Sequence, residues 1–256
     1  MNRTMTLAVL TCMAAAALAQ NTMTVEPVHG KVTKYNLSSV KRVYFEDRNY
    51  DVVYESVDLG LPSGLEWATC NVGANSPEEF GSLFAWGETW AKDTYEWRTY
   101  KWCTDSTGYS LTKYNKNEDF GVVDWKHKLD PEDDVAHVLW GGDWRMPTHE
   151  EVAEMLNNTT QAWVTVNGVK GRRFTGSNGN SIFLPAAGRD VGGKYKHIWI
   201  GMEGWYWDAT RGYEMESQRS GLCWYFGPGH AFLNVVQRFV GMSVRPVRQK
   251  QEATQQ

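Results

Sequence analysis

The chain has 256 residues, a formal net charge of −4 and an apolar share of 42%, enough for one large domain or two small ones with a packed core. Lys and Arg are scattered and gather on no basic face, which sets nucleic-acid binding aside. The unusual quantity is aromatic: 13 Trp, 12 Tyr and 9 Phe against 8 Pro, which points to a loop-rich fold anchored by large rings.

In chain order, residues 1–19 read as a secretory signal. Arg3 gives a positive start, Leu7 to Ala17 is apolar, and Ala17-Leu18-Ala19 fits the small-x-small cleavage rule. Val9-Leu10-Thr11-Cys12 loosely resembles a lipoprotein cleavage site, but the apolar run continues past Cys12, which favours simple cleavage. No transmembrane span is expected later in the chain. The protein is therefore expected in the periplasm, on the cell surface or outside the cell.

Residues 20–50 are expected to form a short N-terminal β unit. Met23, Val25 and Val28 alternate with polar residues, His29-Gly30 makes a turn, and Val43-Tyr44-Phe45 follows as a strand. Residues 51–248 are the main domain, and 249–256 a disordered tail. Early strands are expected near Val57 and at Leu65 to Thr69. Ser76 caps a short helical start. Asp130 is the cap of a further helix, with Pro131 at its first position. Thr148 and Glu151 form a capping box that opens a helix with Val152, Met155 and Leu156 on one face and an end at Asn157-Asn158. Asn167-Gly168 after Trp163-Val164-Thr165-Val166 signals a hairpin. Ser177 to Asn180 marks another turn, and Gly241 to Val247 the last strand. Between them, residues 188–231 read as long aromatic loops.

After removal of the signal, Cys70, Cys103 and Cys223 remain. An oxidising compartment permits one disulfide; a Cys70–Cys103 bridge would close a loop of about 33 residues and stabilise by ~3–4 kcal/mol. The alternative is three buried small hydrophobes.

Four segments carry a family likeness: Val57-Asp58-Leu59-Gly60-Leu61-Pro62-Ser63-Gly64 with Trp67 to Ala74; Phe84-Ala85-Trp86-Gly87-Glu88-Thr89; Trp140 to Glu151; and Ser243-Val244-Arg245-Pro246-Val247. In that order they resemble the Fibrobacter succinogenes major paralogous domain family over about residues 52–248. That family looks like part of the C-type-lectin-like superfamily, near the formylglycine-generating enzymes. The resemblance implies secretion or surface anchoring in a bacterium. It also implies an α+β fold with two helices, small antiparallel sheets joining the chain ends, and long loops.

The chemistry implied by those relatives does not carry over residue by residue. Sugar-binding C-type lectins use Glu-Pro-Asn or Gln-Pro-Asp and Trp-Asn-Asp triplets around calcium, and neither type occurs here; Trp207-Asp208-Ala209 is the nearest echo. No cofactor is expected, since calcium has no motif behind it. Asp130, Glu132, Asp133 and Asp134 read as helix-terminal acids, with a cation site as the alternative. The oxidases pair two late cysteines, whereas this chain has only Cys223 there. Gly188 to Lys194 begins a phosphate-loop pattern, but Tyr195 stands where Ser or Thr must hold Mg²⁺.

The remaining candidate is the aromatic run. Trp205, Trp207 and Tyr213 stand in the most polar context, and Trp199 and Trp224 complete the candidate ligand-binding set. These residues point to a non-catalytic module recognising a glycan or an extracellular protein. Two alternatives stand beside it. One is an enzyme of the formylglycine-generating branch or a glycosidase. The other is a structural subunit of a surface appendage that adds a strand through residues 22–46.

Overall fold

The computed structural model describes residues 22–25, 33–36, 54–192, 195–212 and 218–250. The chain divides into two units, residues 1–52 and 53–256. In the first, β1 (Thr22–Val25) pairs antiparallel with β2 (Thr33–Asn36), Thr22 opposite Asn36. The expected signal, the turn at His29-Gly30, the strand at Val43 to Phe45 and the tail from 251 lie outside the described residues.

The second unit contains β3 (Ser56–Asp58), β4 (Leu65–Ala68), α1 (Val135–Trp140), α2 (His149–Asn158), β5 (Thr160–Val166), β6 (Val169–Thr175), β7 (Ser181–Pro185), β8 (Gly204–Arg211), β9 (Ser220–Gly227), β10 (His230–Gln237) and β11 (Val247–Gln249). Its class is α+β. Three antiparallel three-stranded sheets have the orders β11-β4-β3, β5-β6-β7 and β10-β9-β8.

Local chemistry explains most boundaries. Thr148 Oγ1 accepts from the Glu151 amide at 3.3 Å, and Glu151 Oε2 accepts from the Thr148 amide at 2.8 Å, which closes the capping box. Val152 and Met155 bury the inner face of α2. Asn167 and Gly168, at φ 47° and 83°, make the two-residue turn that matches the strand twist of β5 and β6.

Other boundaries differ from expectation. Asp130-Pro131 opens only a single 3-10 turn, Pro131–Asp133. The α-helix begins after it because Asp134, not Asp130, accepts from the amides of Ala136 and His137. Ser76 heads a turn rather than a helix. Residues 241–243 form isolated bridges, 244–246 are irregular, and the last strand proper is β11, with the chain described to Lys250: Arg248 pairs with Glu66 at 2.9 Å and Lys250 with Asp58 at 2.8 Å.

The possible Cys70–Cys103 bridge is not formed; Cys70, Cys103 and Cys223 are free thiols, Cys223 buried and the other two half-buried. The Cys103 thiol donates to Asp105 at 3.1 Å within its own loop, while Cys70 lies beside the Thr69 hydroxyl. Cys223 is a buried hydrophobe in the core, its thiol pushed far up by burial.

The largest departure is the antiparallel run of β8, β9 and β10, which replaces much of the expected loop region 188–231. Every residue of β8 is buried. Tyr206, with Trp224 and Phe226 of β9, packs on Val152 and Met155 of α2 and on Phe174 and Leu184. The opposite face, Trp205, Trp207 and Cys223, packs on Trp86, Tyr114, Met146 and Met242. A strand covered on both sides has no polar alternation, so the period-2 signal disappears from its sequence.

Two wholly buried guanidinium groups tie the irregular segments together. Arg245 donates from Nε to Asn71 Oδ1 at 2.9 Å, from Nη1 to the carbonyls of Ala68 at 2.9 Å and Thr69 at 2.6 Å, and from Nη2 to the Phe183 carbonyl at 3.1 Å. Arg238 donates to the carbonyls of Ser220, Lys113 and Tyr114 and lies over the Trp86 ring. Burial lowers its pKa to about 10.

Arg245→Met should lower the unfolding free energy by at least ~3 kcal/mol, because it strands several buried acceptors at once. Arg245→Lys should recover only a minor part, since an ammonium cannot span all four acceptors. Urea melts of the three proteins would show it; a loss under ~1 kcal/mol for Met would refute the role.

Glu151 gives a pH-dependent counterpart. Burial raises its carboxyl, but the forked Arg145 pair at 2.7 Å and the Thr148 amide outweigh that and leave it below its ordinary 4.5. Its stabilisation is therefore complete above pH 4.5 and fades as pH falls through and below that value. Glu151→Gln should cost ~1 kcal/mol near neutrality, and the difference in Tm from the parent should shrink towards pH 3. A difference that grows on acidification would contradict the assignment.

Candidate binding face

The face is built where the meander leaves the core. Trp205 of β8 stands opposite Tyr225 of β9, which stands opposite Phe232 of β10. Their rings form a row. Trp205 and Tyr225 stack at 4.4 Å and 11°, and Tyr225 contacts Phe232 at 6.1 Å. His230 adds a ring 5.2 Å from Tyr225 and stacked on Phe232. At the other end Trp199 stacks on Trp205 at 5.8 Å. The row is anchored at 5% exposure on Trp205 and opens to 38% on Trp199 and 56% on Phe232.

Trp199 is held by the backbone of the loop before β8. It adopts φ 63°, an uncommon conformation for a residue with a side chain. Its carbonyl accepts from the amides of Met202 and Glu203, and Gly201 donates to the Ala186 carbonyl. Gly188 makes the approach feasible: a Cβ there would sit 2.1 Å from the Ile198 carbonyl oxygen. Arg189 and Ile198 then exchange both backbone hydrogen bonds. This brings the Arg189 guanidinium over the rings of Trp199 and Trp205, at 4.6 and 4.1 Å.

Polar chemistry flanks the rings. Trp205 Nε1 donates to Glu203 Oε2 at 2.8 Å. Glu203 also lines a shallow cleft of about 250 Å³ with Trp163, Lys170, Gly201, Met202 and Pro228. Burial lowers the pKa of Arg189, opposed in part by the charge of Glu203.

The sequence-based candidates divide. Trp199 lies on the face. Trp205 is its buried anchor rather than an exposed contact. Trp207 and Trp224 are at 0% exposure and belong to the core. The polar neighbours that made Trp205 and Trp207 look exposed, Asp208, Thr210 and Arg211, are themselves buried and hydrogen-bonded inside. Tyr213 lies outside the described residues. Sequence reasoning passed over Arg189, Glu203, His230 and Phe232 as site residues. The turn Gly227-Pro228-Gly229 before the apolar run His230 to Gln237 was the available sign of a hairpin carrying Phe232.

Two other polar clusters are architectural. Among the described residues, Asp130, Glu132 and Asp133 are the acids close enough to share a cation. Lysines occupy that space: Lys113 Nζ lies 2.5 Å from Asp130 and 2.6 Å from Asp133, and Lys101 lies 2.9 Å from Asp133. Tyr114 also donates to Asp133 at 2.6 Å. The cluster is an ion-pair network around a buried carboxylate. His149 and Asp208 pair at 2.9 Å, and Asp208 is pushed up by burial against the opposing pull of His149. Asp208 also accepts from the Thr210 amide, and the Thr210 hydroxyl from the His149 amide, so the pair clamps the start of α2 to β8.

Among the described residues no helix is long and apolar enough to cross a membrane. No protein-family model, no curated protein and no solved structure matches the chain.

The division between anchor and contact is measurable. Trp205→Ala should cost ~3–5 kcal/mol in stability, as for other buried large-to-small changes. Trp199→Ala should cost ~1 kcal/mol or less, since a half-exposed ring loses little packing. Thermal melts showing equal losses would undo the distinction.

Proposed function

We propose that the protein is an exported, non-catalytic binding module that recognises a glycan on the Trp199–Trp205–Tyr225–Phe232 row. The observation that carries this reading is the row itself: rings in register across three strands, anchored at Trp205 within the row and exposed at both ends, Trp199 and Phe232. A pyranose ring has one face of C–H groups that lies flat on an aromatic ring, and a rim of hydroxyls that need hydrogen-bond partners. The face offers both. Its rings supply apolar area with little side-chain freedom left to lose. Glu203 supplies acceptors and Lys170 donors beside them.

The same proposal places the chain in the major paralogous domain family with a C-type-lectin-like fold. The four sequence segments support it. So does the sheet that joins β11, near the end of the chain, to β4 near the start of the second unit. The oxidase-like alternative draws no support, because Cys223, the sole late cysteine, is sealed in the core. For the glycosidase alternative, the acids clustered at Asp130 to Asp133 are neutralised by lysines.

A broad glycan array should return a defined set of bound oligosaccharides. The Trp199→Ala/Phe232→Ala double variant should keep its fold by circular dichroism and lose at least ~10-fold in affinity, the loss of roughly two stacking contacts. An array with no ligand, or a folded double variant that binds as tightly as the parent, would end this reading.

A further inference from the structure

The binding face encloses a cation that the protein does not pair. The Arg189 guanidinium lies against both rings of the stacked Trp199–Trp205 pair, 4.6 and 4.1 Å from their centroids. Among the described residues it makes no ion pair and donates no hydrogen bond, and its Nε is buried without a partner. Arg219, over Trp97 and Tyr109 and with its Nε likewise unpartnered, shares this state away from the face, and the Arg172 Nε is also unpartnered, but the other inward arginines spend donors on the protein. Arg172 donates to Gln161 and to the Gly227 carbonyl, Arg211 to Gln218 and to the Lys126 carbonyl, and Arg245 to four acceptors. Glu203 is the near carboxylate, but it is engaged by the Trp205 indole and faces the cleft. A second open polar atom lies in the same row: His230 Nε2 is buried without a partner.

We propose that the ligand of this face is an acidic glycan, whose oxyanion is received by Arg189 while its sugar ring stacks on Trp199. This rests on the reading of the face as a glycan-binding surface. Contact with two rings and partial burial limit the freedom and hydration of the guanidinium. Its N–H groups form a rigid fork that matches a carboxylate or sulfate. A half-buried donor set without acceptors is unfavourable in the free protein and is satisfied on binding, so its contribution falls on the ligand that carries the anion. Lys170, exposed at the cleft, adds a second positive charge on the same side.

The test uses the full chain and three probes: an oligogalacturonate, its fully methyl-esterified form, and a sulfated galactan oligosaccharide of similar length. Calorimetry should show at least one acidic probe bound about tenfold or more tightly than the ester. That preference should weaken as NaCl rises. Arg189→Gln should erase the preference, and Arg189→Lys should restore only part of it. Arg219→Gln should leave binding unchanged; Arg219 is stacked in the same way on Trp97 and Tyr109 but lies at the far end of β9. Which acidic probe wins identifies the oxyanion as carboxylate or sulfate. Ester and acid bound equally, or a preference that survives in folded Arg189→Gln, would overturn the acidic ligand and leave the glycan reading standing. No binding of any probe, together with a blank neutral-glycan array, would overturn both. The salt dependence of the parent decides the matter even if the Arg189 variants fold poorly.

Discussion

The fold depends on satisfying buried backbone carbonyls in segments that have no regular secondary structure. A helix or sheet pairs its own carbonyls; a loop-rich interior cannot, and each orphan costs about 1–3 kcal/mol. Arg245 answers for three segments at once, joining residues 68–71, residue 183 and the C-terminal run. Asn71 extends the same network, donating to the Phe80 carbonyl and to the Tyr206 hydroxyl, which donates to the Pro185 carbonyl. No carboxylate pairs with Arg245 among the described residues, so its charge is stabilised by carbonyl dipoles alone. The indoles do the same work singly: Trp86 donates to the Asp208 carbonyl, Trp102 to Gly87 and Trp207 to Phe84. This is the physical meaning of a Trp-rich, Pro-poor composition. These three indoles each bring a large apolar body and one donor to a place where a carbonyl needs it, whereas Trp67, Trp97 and Trp224 are buried without a partner for Nε1 and serve by their apolar area.

That solution makes the meander of β8, β9 and β10 a rigid platform. β8 and most of β9 are covered on both sides by core clusters, while β10 is half-buried to exposed along its length. A row of rings fixed to the core at Trp205 and open to solvent at Trp199 and Phe232 inherits the order of the core. Such a surface loses little entropy when a ligand stacks on it. The unusual backbone of Trp199 fits this picture, since a left-handed conformation persists only where surrounding hydrogen bonds over-determine it.

Sequence reading succeeded where one local rule acts alone. The Thr148–Glu151 capping box and the Asn167-Gly168 turn are governed by neighbours within a few residues, and both are present as expected. It slipped by four residues at α1, because Asp130 and Asp134 are both adequate caps and only the 3-10 turn between them decides. It missed the meander, since burial on both faces erases alternation, and it misplaced Trp207 and Trp224 for the same reason. Polar residues beside a Trp signal exposure only if they are themselves exposed, and Asp208 and Arg211 are not. The strand pairing that sets Trp205, Tyr225 and Phe232 side by side depends on register, which no local window contains.

The two kinds of arginine in this molecule separate architecture from recognition. Arg245 and Arg238 lie deepest, yet their donors are matched to carbonyls, so nothing is left for a ligand to satisfy. Arg189 lies nearer the surface with its donors unmatched, although Glu203 stands close enough to influence its charge. Depth of burial alone would rank these residues in the wrong order as functional candidates. An account of donors and acceptors ranks these three correctly, because a folded chain retains an unsatisfied, ring-stacked cation only at a cost in stability. A partner that brings the missing oxygens removes that cost, and the gain appears as affinity rather than as stability of the free protein.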